Sequence, residues 1–438
     1  MNKLHSVSLN NELCVGCTNC IKGCPTEAIR VRHGKAVIDD IRCVDCSECI
    51  RICPYHAKIA LTDPFDSTLE TIKGKLKVAV VSPVLFTQFP HKSSRSKIMS
   101  AIISLGFDYV FDESIGSDSY LQGTREIIGQ KTKTFETSSE EDRKLIFPLI
   151  SSSCPVIVRF IQMKYRTLIP RLVSLETPFE ITARYARSVL SKQSKVEPRE
   201  IAVVYFSPCP SKKTHTMTPL GTEKSNVDFV IGIHDVYSRL VRILDKRVFS
   251  ESDANMSSHI FLSNDEGIRC AVLGGEAAAT GIDNFLTVDG INNVSKIMDE
   301  IEADHLPGIS FVEPTCCFGG CVGGPLTISN RFAATARLRE FAGETFNSWD
   351  TDVTLIAADD LPKAERWSIP LMENNAMQLS DDIGDAMSKY DQIDKILATL
   401  PGLDCGACGS PSCASMAEDI VQGKAIIEDC IIMRNGSK

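Results

Sequence analysis

The 438-residue sequence lacks the features that mark membrane proteins and nucleic-acid-binding proteins. It contains no apolar run long enough to cross a bilayer, and its first ten residues lack the apolar core of a secretory signal. It has no basic run, and a net charge of -9 disfavours nucleic acid or an anionic membrane as a partner. No flavin or nicotinamide fingerprint is present. These absences predict a cytoplasmic protein that works with small molecules or redox proteins.

The sequence is rich in cysteine, and the grouping of the cysteines indicates metal binding rather than disulfide pairing. Sixteen of the 18 cysteines fall into four sets of four, and cytoplasmic thiols stay reduced. A content of 43% hydrophobic and 24% charged residues is ordinary for globular domains that need no disulfides. Three sets are compact and one is dispersed. Cys270 lies outside them and is predicted to be a small buried apolar residue.

The first 62 residues repeat the pattern C-x2-C-x2-C-x3-C-P, starting at Cys14 and again at Cys43. In two-cluster bacterial ferredoxins the fourth cysteine of each such run binds the other 4Fe-4S cluster. The rule gives a first cluster site of Cys14, Cys17, Cys20 and Cys53, and a second cluster site of Cys43, Cys46, Cys49 and Cys24. Zinc ribbons lack the C-x3-C-P extension. We predict a bacterial-type α+β ferredoxin domain with two clusters at residues 1–62.

A third compact set stands near the C-terminus, in the pattern C-x2-C-x4-C followed by a distant cysteine. Its members are Cys405, Cys408, Cys413 and Cys430. The glycines and Pro411 of this segment allow the close backbone approach that hydrogen bonds to cluster sulfide require. The segment resembles the small 4Fe-4S domain at the ends of several anaerobic redox proteins, with a structural zinc site as the alternative. We predict a small C-terminal 4Fe-4S domain at residues 388–438.

The middle of the chain alternates strand-like and helix-like stretches, which predicts an α/β domain at residues 76–375. The predicted strands are Lys77–Val81, Leu145–Ile150, Ile201–Phe206 and Ile309–Val312. The predicted helices are Ser96–Leu105, Val156–Leu168 and Val294–Ile301, with Asp391–Leu400 beyond an acidic linker around Ser380–Asp382. Sites in such domains form at the carboxyl ends of strands, where the dispersed cysteines stand. This set comprises Cys154, Cys209, Cys317 and Cys321.

The three segments that carry the dispersed cysteines resemble, in order and spacing, the signature segments of the FeFe-hydrogenases. They are residues Pro148–Pro155, Ser207–Lys213 and Glu313–Gly324. Ser82-Pro83 and Val110-Phe111-Asp112 also resemble landmarks of that family. The resemblance covers the domain that follows residue 75, and it implies two α/β lobes around an active site. A ferredoxin-like front end is common in the same family.

The resemblance implies an H-cluster. In it, Cys154, Cys209, Cys317 and Cys321 hold a 4Fe-4S cluster, and Cys321 bridges to a diiron subcluster that carries CO, cyanide and azadithiolate. Lys212 is implied as a cation beside a cyanide ligand. Pro83 and Pro208 are implied as rigid backbone around the cavity, and Ser207 and Thr315 replace the methionines that usually line it.

Ser153 is the most informative departure from the family pattern, because catalytic members have a proton-relaying cysteine at that position. A thiol has a pKa of about 8.5 and a serine hydroxyl is a far weaker acid, so proton exchange through Ser153 should be slow. The glutamates of the usual relay are replaced by Gly123, Thr124 and Ile127. Glu126 stands one residue out of register. These losses resemble the sensory subgroup of the family.

The resemblance implies a low-turnover oxidoreductase that interconverts H2 with protons and electrons and serves H2 or redox sensing. Its partners would be H2, protons and a redox protein such as a ferredoxin or a signalling protein, and a homodimer stays open as its assembly. One alternative is a non-enzymatic iron-sulfur scaffold similar to the eukaryotic cluster-assembly proteins, which share the fold without the diiron unit. Another alternative is an electron-transfer subunit of a larger complex.

Overall fold

The computed structural model describes residues 5–89, 93–137, 139, 146–246, 259–263, 265–342 and 353–436. The chain divides into two compact units. The cluster unit comprises Met1–Leu61, Arg159–Arg166 and Met372–Lys438, and the α/β unit comprises Thr62–Val158 and Thr167–Leu371. In the described ranges, every helix is too short or too polar to cross a bilayer.

The cluster unit is built from short strands and helices between cysteine loops. Strand β1 (Val7–Leu9) pairs antiparallel with β4 (Lys58–Ala60), and β2 (Ile29–Arg32) pairs antiparallel with β3 (Lys35–Ile38). Its helices are Asn19–Lys22, Glu48–Arg51, Ile383–Thr399, Cys413–Val421 and Ile431–Gly436, with 3-10 turns at Asn375–Met377 and Ile427–Asp429. Small apolar side chains such as Ala36 and Ala57 pack directly against the cysteines. The cysteines thus belong to an apolar interior that also contains larger side chains, such as Ile21 and Ile29.

The helix before the C-terminal cysteines is longer than predicted. The sequence predicts a linker around Ser380–Asp382 and a helix from Asp391, whereas the helix begins at Ile383. The side chain of Asp382 accepts a hydrogen bond from the backbone N–H of Asp385 at 2.7 Å, which is an N-cap interaction. The acidic stretch that predicts a linker therefore ends in the cap that starts the helix.

The α/β unit contains two parallel sheets. Six strands lie in the order β13-β10-β6-β5-β8-β9, and three lie in the order β11-β12-β7. The strands of the larger sheet are β5 (Leu76–Val81), β6 (Tyr109–Asp112), β8 (Ile201–Ser207), β9 (Phe229–Gly232), β10 (Ile260–Leu262) and β13 (Thr354–Leu355). Those of the smaller sheet are β7 (Leu149–Ile150), β11 (Phe285–Asp289) and β12 (Phe311–Thr315). All described pairings within these sheets are parallel.

Both faces of the larger sheet are covered by helices. Along β5, Val78 and Val80 pack into one apolar cluster, and Ala79 and Val81 pack into another on the opposite face. Strands that are buried on both faces need apolar residues at every position, which explains the continuous apolar runs in the sequence. The helices of this unit are Phe65–Thr71, Arg95–Ile103, Ser114–Thr137, Pro155–Lys164 (of which residues from Arg159 on are assigned to the cluster unit), Pro178–Ser194, Ser211–Met217, Ile233–Lys246, Asp265–Ile268, Gly275–Ala279, Ile291–Glu302 and Arg331–Phe341. Its 3-10 turns are Pro83–Gln88, Arg166–Arg171, Pro198–Glu200, Arg269–Ala271, Cys321–Gly323 and Ala358–Asp360.

The strand predicted at Leu145–Ile150 is shorter than expected. The structure has a strand only at Leu149–Ile150, and residue 145 lies outside the described residues. Pro148 immediately precedes this strand, and a proline has no backbone N–H to donate to a neighbouring strand. The other predicted strands and helices of the α/β unit correspond to observed elements with small shifts at their ends.

Two long helices of the α/β unit, Ser114–Thr137 and Pro178–Ser194, approach each other closely at Gly116. A Cβ atom at this position would lie 2.0 Å from the carbonyl oxygen of Pro178 and 2.6 Å from Oγ1 of Thr182. The backbone N–H of Gly116 donates to Thr182 Oγ1 at 3.0 Å. The same helix, Ser114–Thr137, contains Gly129, where an added Cβ would meet no atom within 4 Å.

We expect Gly116→Ala to lower the free energy of unfolding by about 1–3 kcal/mol, because the added methyl group overpacks this helix contact. Gly129→Ala is the matched control in the same helix and should raise it by about 0.5–1 kcal/mol, because alanine has the higher helix propensity. Urea unfolding followed by circular dichroism measures both changes. Equal effects of the two substitutions would contradict the close packing at Gly116.

Candidate metal centres

The four dispersed cysteines follow the carboxyl ends of three parallel strands. Cys154 follows β7, Cys209 follows β8, and Cys317 and Cys321 follow β12. Burial raises the pKa of Cys154 and Cys321, and it raises the pKa of Cys209 to about 12. Charge on neighbouring members of the set raises each of these pKa values further, so the thiols lie close together. Clustered buried thiols of this kind ionise when a metal compensates their charge.

Lys212 places a positive charge beside these cysteines. Its Nζ lies 3.6 Å from Glu113 Oε1 and 4.4 Å from the centre of the Phe179 ring. Burial alone would lower the pKa of this ammonium, but the Glu113 carboxylate and the nearby cysteines raise it. Glu113 is itself held by the hydroxyl of Tyr205, which donates to its Oε2 at 2.8 Å. Lys212 is therefore a buried, fixed cation and not a solvated surface lysine.

Ser207 and Thr315 each hold the backbone of a cysteine loop. The hydroxyl of Ser207 donates to the carbonyl oxygen of Cys209 at 2.7 Å and accepts from its N–H at 3.1 Å. The hydroxyl of Thr315 donates to the carbonyl oxygen of Cys317 at 3.1 Å. Both side chains thus stabilise local turns two residues ahead of themselves, an arrangement typical of serine and threonine.

The two implied prolines are both at strand ends. Pro83 follows β5 and begins the buried 3-10 turn Pro83–Gln88. Pro208 follows β8, and its carbonyl oxygen accepts a hydrogen bond from the N–H of Leu326 at 3.0 Å. Their fixed φ angles restrict the backbone at both positions.

Ser153 belongs to a hydrogen-bonded group of hydroxyls that ends on a buried acid. Its Oγ donates to Glu276 Oε2 at 2.9 Å and lies 3.0 Å from Ser151 Oγ. The hydroxyl of Tyr120 lies 3.1 Å from Ser152 Oγ and accepts from the Ser152 N–H at 3.0 Å. The residue before the Cys154 ligand position is therefore connected to a carboxyl group through a single hydrogen bond.

Glu276 and Glu313 are buried carboxyl groups with raised pKa values. Burial raises the pKa of Glu276 to about 7, although serine hydroxyls that donate to it act in the opposite direction. Burial and the charge of Glu276 raise the pKa of Glu313 to about 8. Glu313 accepts hydrogen bonds from the N–H groups of Gly274 at 2.9 Å and Ala277 at 2.7 Å. Both groups can exchange protons near neutral pH, which is a property typical of functional sites.

Cys270 and Asp118 extend this acidic region. Burial raises the pKa of Cys270, and the charges of Glu276, Glu313 and Asp118 raise it further. Burial also raises the pKa of Asp118 to about 7, while its hydrogen bond from Ser263 opposes that shift. The sequence predicts a small buried apolar residue at Cys270, and in the structure this side chain is partly buried and lies near these three acids.

Glu126 does not take part in this region. It is exposed on the helix Ser114–Thr137, whereas Tyr120 and Thr124 lie on the buried face. The acid next to Ser153 is instead Glu276, which is 123 residues away in the sequence. No local spacing links the two, although Glu276 follows a Gly-Gly pair and Glu313 opens the third signature-like segment.

The compact sets line cavities in the cluster unit. The cavity at the first cluster site is lined by Cys14, Cys17, Cys20 and Cys53, together with Val31 and Lys58. A second cavity, at what we call the tail cluster site, is lined by Cys405, Cys408, Cys413 and Cys430. At the second cluster site, burial raises the pKa of Cys46, and the charges of Cys24, Cys49 and Cys43 raise it further. Each set thus has its members near one another.

Lys58 supports anionic clusters at both ferredoxin-type sites. Its Nζ is buried and has no hydrogen-bond partner among the described residues. Burial raises the pKa of Cys20 and raises that of Cys49 to about 12, and the Lys58 ammonium opposes both shifts. An uncompensated buried ammonium is costly, so its position between members of the two sets fits bound anionic iron-sulfur clusters.

Three family models match the chain. Residues 75–280 and 240–325 match the family described as the iron only hydrogenase large subunit, C-terminal domain, which covers more than half of the chain. Residues 6–54 match the 4Fe-4S dicluster domain, and residues 400–432 match the FeS family of cluster domains. These matches confirm the predicted iron-sulfur and metal-binding character of the protein.

Curated relatives of two kinds are similar to this chain. The periplasmic Fe hydrogenase large subunit of Nitratidesulfovibrio vulgaris is 24% identical over 50% of this chain and 52% of the relative. The NADP-reducing hydrogenase subunit HndD of Solidesulfovibrio fructosivorans is 22% identical over 73% of this chain and 56% of the relative. The cytosolic Fe-S cluster assembly factor NAR1 of Candida albicans is 26% identical over 34% of this chain and 27% of the relative. The chain thus spans about half, or about a quarter, of these relatives.

Solved structures share the fold. An apo form of a variant of the FeFe-hydrogenase HydA1 from Chlamydomonas reinhardtii has a TM-score of 0.50 at 16% identity, covering 66% of this chain and 88% of that chain. Together with the family matches, the parallel sheets confirm the predicted fold class. The chain has a two-cluster domain, an α/β hydrogenase-like domain and a C-terminal iron-sulfur domain.

We expect Lys58→Met to lower the reduction potentials of the two ferredoxin-type clusters by on the order of 50 mV, because a nearby positive charge stabilises the reduced cluster. Lys58→Arg keeps the charge and is the matched control. Redox titration monitored by electron paramagnetic resonance (EPR) measures both variants. An equal shift in the methionine and arginine variants would show that packing, and not charge, is responsible.

Proposed function

Because the chain belongs to the iron-only hydrogenase large-subunit family, we propose that it is a low-turnover hydrogenase that interconverts H2 with protons and electrons. Its use would be in sensing H2 or the cellular redox state. The observation that supports this proposal is the hydrogen bond from Ser153, beside the ligand position Cys154, to the buried acid Glu276. It provides a proton-exchanging group where metal-based H2 chemistry requires one.

The proposed ligands of the H-cluster are the dispersed cysteines. Cys154, Cys209, Cys317 and Cys321 would hold its 4Fe-4S part, and Cys321 would bridge to the diiron subcluster with CO, cyanide and azadithiolate. When bound, this group supplies the metal chemistry of H2 cleavage and formation. The residues fit it, because the donors are clustered soft thiols and Lys212 lies beside three of them as a buried cation.

The proposed role of Ser153 is to pass protons to and from Glu276. Its Oγ donates to Glu276 Oε2, so it can release its own proton to that oxygen while the Oγ accepts another proton. A free serine hydroxyl ionises very reluctantly, so this concerted exchange is slower than transfer through a thiol. Glu276, with a pKa of about 7, can hold or release the proton at physiological pH. Slow transfer through Ser153 to an acid with a suitable pKa would give a proton route with low turnover.

The acids around Glu276 can continue the proton route. Glu313 has a pKa of about 8, and the nearby Asp118 has one of about 7. Groups with matched pKa values exchange protons without a large free-energy step between them. We propose that Glu313 and Asp118 form a buffered region behind Glu276, whereas Cys270, whose pKa is raised well above that of an ordinary thiol, stays protonated among them. Reducing equivalents would be exchanged with a redox protein, such as a ferredoxin or a signalling protein.

A second candidate function is an iron-sulfur scaffold without the diiron unit. The similarity to the cluster assembly factor NAR1 favours it. A scaffold that only holds clusters has no need of a proton-exchanging acid beside a ligand loop, whereas Glu276 is buried there despite the cost of desolvating its carboxylate. We therefore place the hydrogenase function first.

Infrared spectroscopy tests the diiron unit directly. We expect bands from iron-bound CO and cyanide after anaerobic maturation of the full chain, because the thiol donors and Lys212 fit that group. Absence of these bands, with full iron-sulfur occupancy and a hydrogenase matured in parallel as the positive control, would favour the scaffold function.

Glu276→Gln should lower H2 turnover by about 100- to 10,000-fold, which is the usual contribution of a general acid or base. The pH profile gives an independent readout. Above a pH of about 7 Glu276 is a carboxylate that accepts protons, so H2 oxidation should rise through that pH. Below it Glu276 is an acid that donates them, so proton reduction should fall as the pH rises. Both inflections should disappear in the glutamine variant.

The matched control for this prediction is Glu126→Gln, which changes an exposed glutamate of the same unit. It should leave the turnover and both pH profiles unchanged. A Glu276→Gln variant with intact clusters, normal infrared bands and full turnover would exclude the proposed proton route.

A further inference from the structure

Strand β2 separates the first cluster site from the tail cluster site. Val31 lines the cavity of the first cluster site, and its backbone N–H donates to the carbonyl oxygen of Gly409 at 2.8 Å. Gly409 lies between Cys408 and Ser410, which both line the cavity of the tail cluster site. Val31 therefore lies between the two cavities.

Two further contacts connect the same loops. Gly406, which follows the ligand position Cys405, lies against Ile21, which follows the ligand position Cys20. A Cβ on Gly406 would be 3.4 Å from Cδ1 of Ile21. The guanidinium of Arg32 donates to the carbonyl oxygen of Cys408 at 3.3 Å. The tail cluster loop thus touches β2 at two places and the segment after Cys20 at one, and we call these three contacts the cluster joint.

Ion pairs stabilise the cluster joint. Asp419 is buried, and its Oδ2 accepts from Arg30 Nε at 2.6 Å, from Arg32 Nη2 at 2.7 Å and from Ser410 Oγ at 2.9 Å. A carboxylate shared by two guanidinium groups in partial burial is a strong and geometrically specific interaction. These interactions hold β2 and the loop of residues 405–413, which we call the tail loop, in one relative position.

We propose that the cluster joint couples the clusters of the first and tail sites as one redox pair. An electron that passes between them oxidises one cluster by one electron and reduces the other by one, and no bond forms or breaks. The arginines and Asp419 act as positioning residues for this exchange. The inference rests on iron-sulfur clusters at these two sites and is independent of H2 chemistry at the dispersed cysteines.

Gly409 allows a direct test of the cluster joint. It has a φ of +85°, and a Cβ there would lie 2.0 Å from the carbonyl oxygen of Val31, so Gly409→Ala should push the tail loop away from β2. Gly402 has a φ of +65° but open space around its Cβ position. Gly402→Ala is therefore a matched control with similar backbone strain and no clash.

The experiment uses the full chain loaded with iron and sulfide but without diiron maturation, so that its outcome does not depend on H2 chemistry. After reduction, EPR spectra should show broadening of the first-site signal by the paramagnetic tail cluster. We expect this broadening to be lost in Gly409→Ala and retained in Gly402→Ala. The broadened signal should disappear in Cys17→Ala and persist in Cys46→Ala, which removes a ligand of the second site.

Three outcomes would overturn the proposal. In the first, the spectrum of the parent protein equals the sum of the spectra of isolated clusters. In the second, both glycine variants lose the broadening equally. In the third, the broadening is lost in Cys46→Ala and retained in Cys17→Ala. If Gly409→Ala has a lower iron content than its parent, Asp419→Asn takes its place, because it removes the charge shared by the two arginines. If the broadening is retained in that variant while its iron content is intact, the ion pairs of Asp419 do not position the two clusters for exchange, and the proposed role of these ion pairs is wrong.

Discussion

The cost of burying several thiolates close together is the constraint on which this structure depends. A buried cation lies near members of three of the four cysteine sets. Lys212 is held beside the dispersed set by Glu113 and an aromatic ring. Lys58 lies near members of both ferredoxin-type sets, and its Nζ has no hydrogen-bond partner in the described part of the chain. Thiolates near one another and away from water are stable only with a metal and nearby cations.

The proton chemistry of the α/β unit follows from a similar balance. Ser153 is a poorer acid than a thiol, but Glu276 accepts its hydrogen bond and has a pKa near neutrality because it is buried. A weak relay next to a well-matched acid transfers protons, although slowly. Under the proposed function slow exchange is sufficient, since a sensor needs only to follow the concentration of H2 and does not have to consume it.

Much of this organisation can be predicted from the sequence, because ligand spacing and apolar runs are local. The cysteine repeats, the buried strands and the position of Lys212 within its motif all belong to segments of about ten residues. Glu276 could not be found in this way, since only the packing of the chain brings it next to Ser153. The strand at Leu149–Ile150 was overestimated because Pro148 removes a donor that an apolar pattern does not reveal. The helix cap at Asp382 lies in an acidic stretch that predicts a linker, because acidic residues are common both in linkers and at helix starts.

The position of Asp419 has a consequence for how the protein is made. It is the shared counterion of Arg30 and Arg32, which are synthesised almost 390 residues earlier. While the chain emerges from the ribosome, these two arginines remain without it, and the wall beside the first cluster site lacks its support. Domains usually fold as they are completed from the N-terminus, but here the first domain gains this counterion only after the segment that carries Asp419 has been made. The final geometry of the wall beside the first cluster site therefore depends on a segment that is made long after the cysteines that line the site.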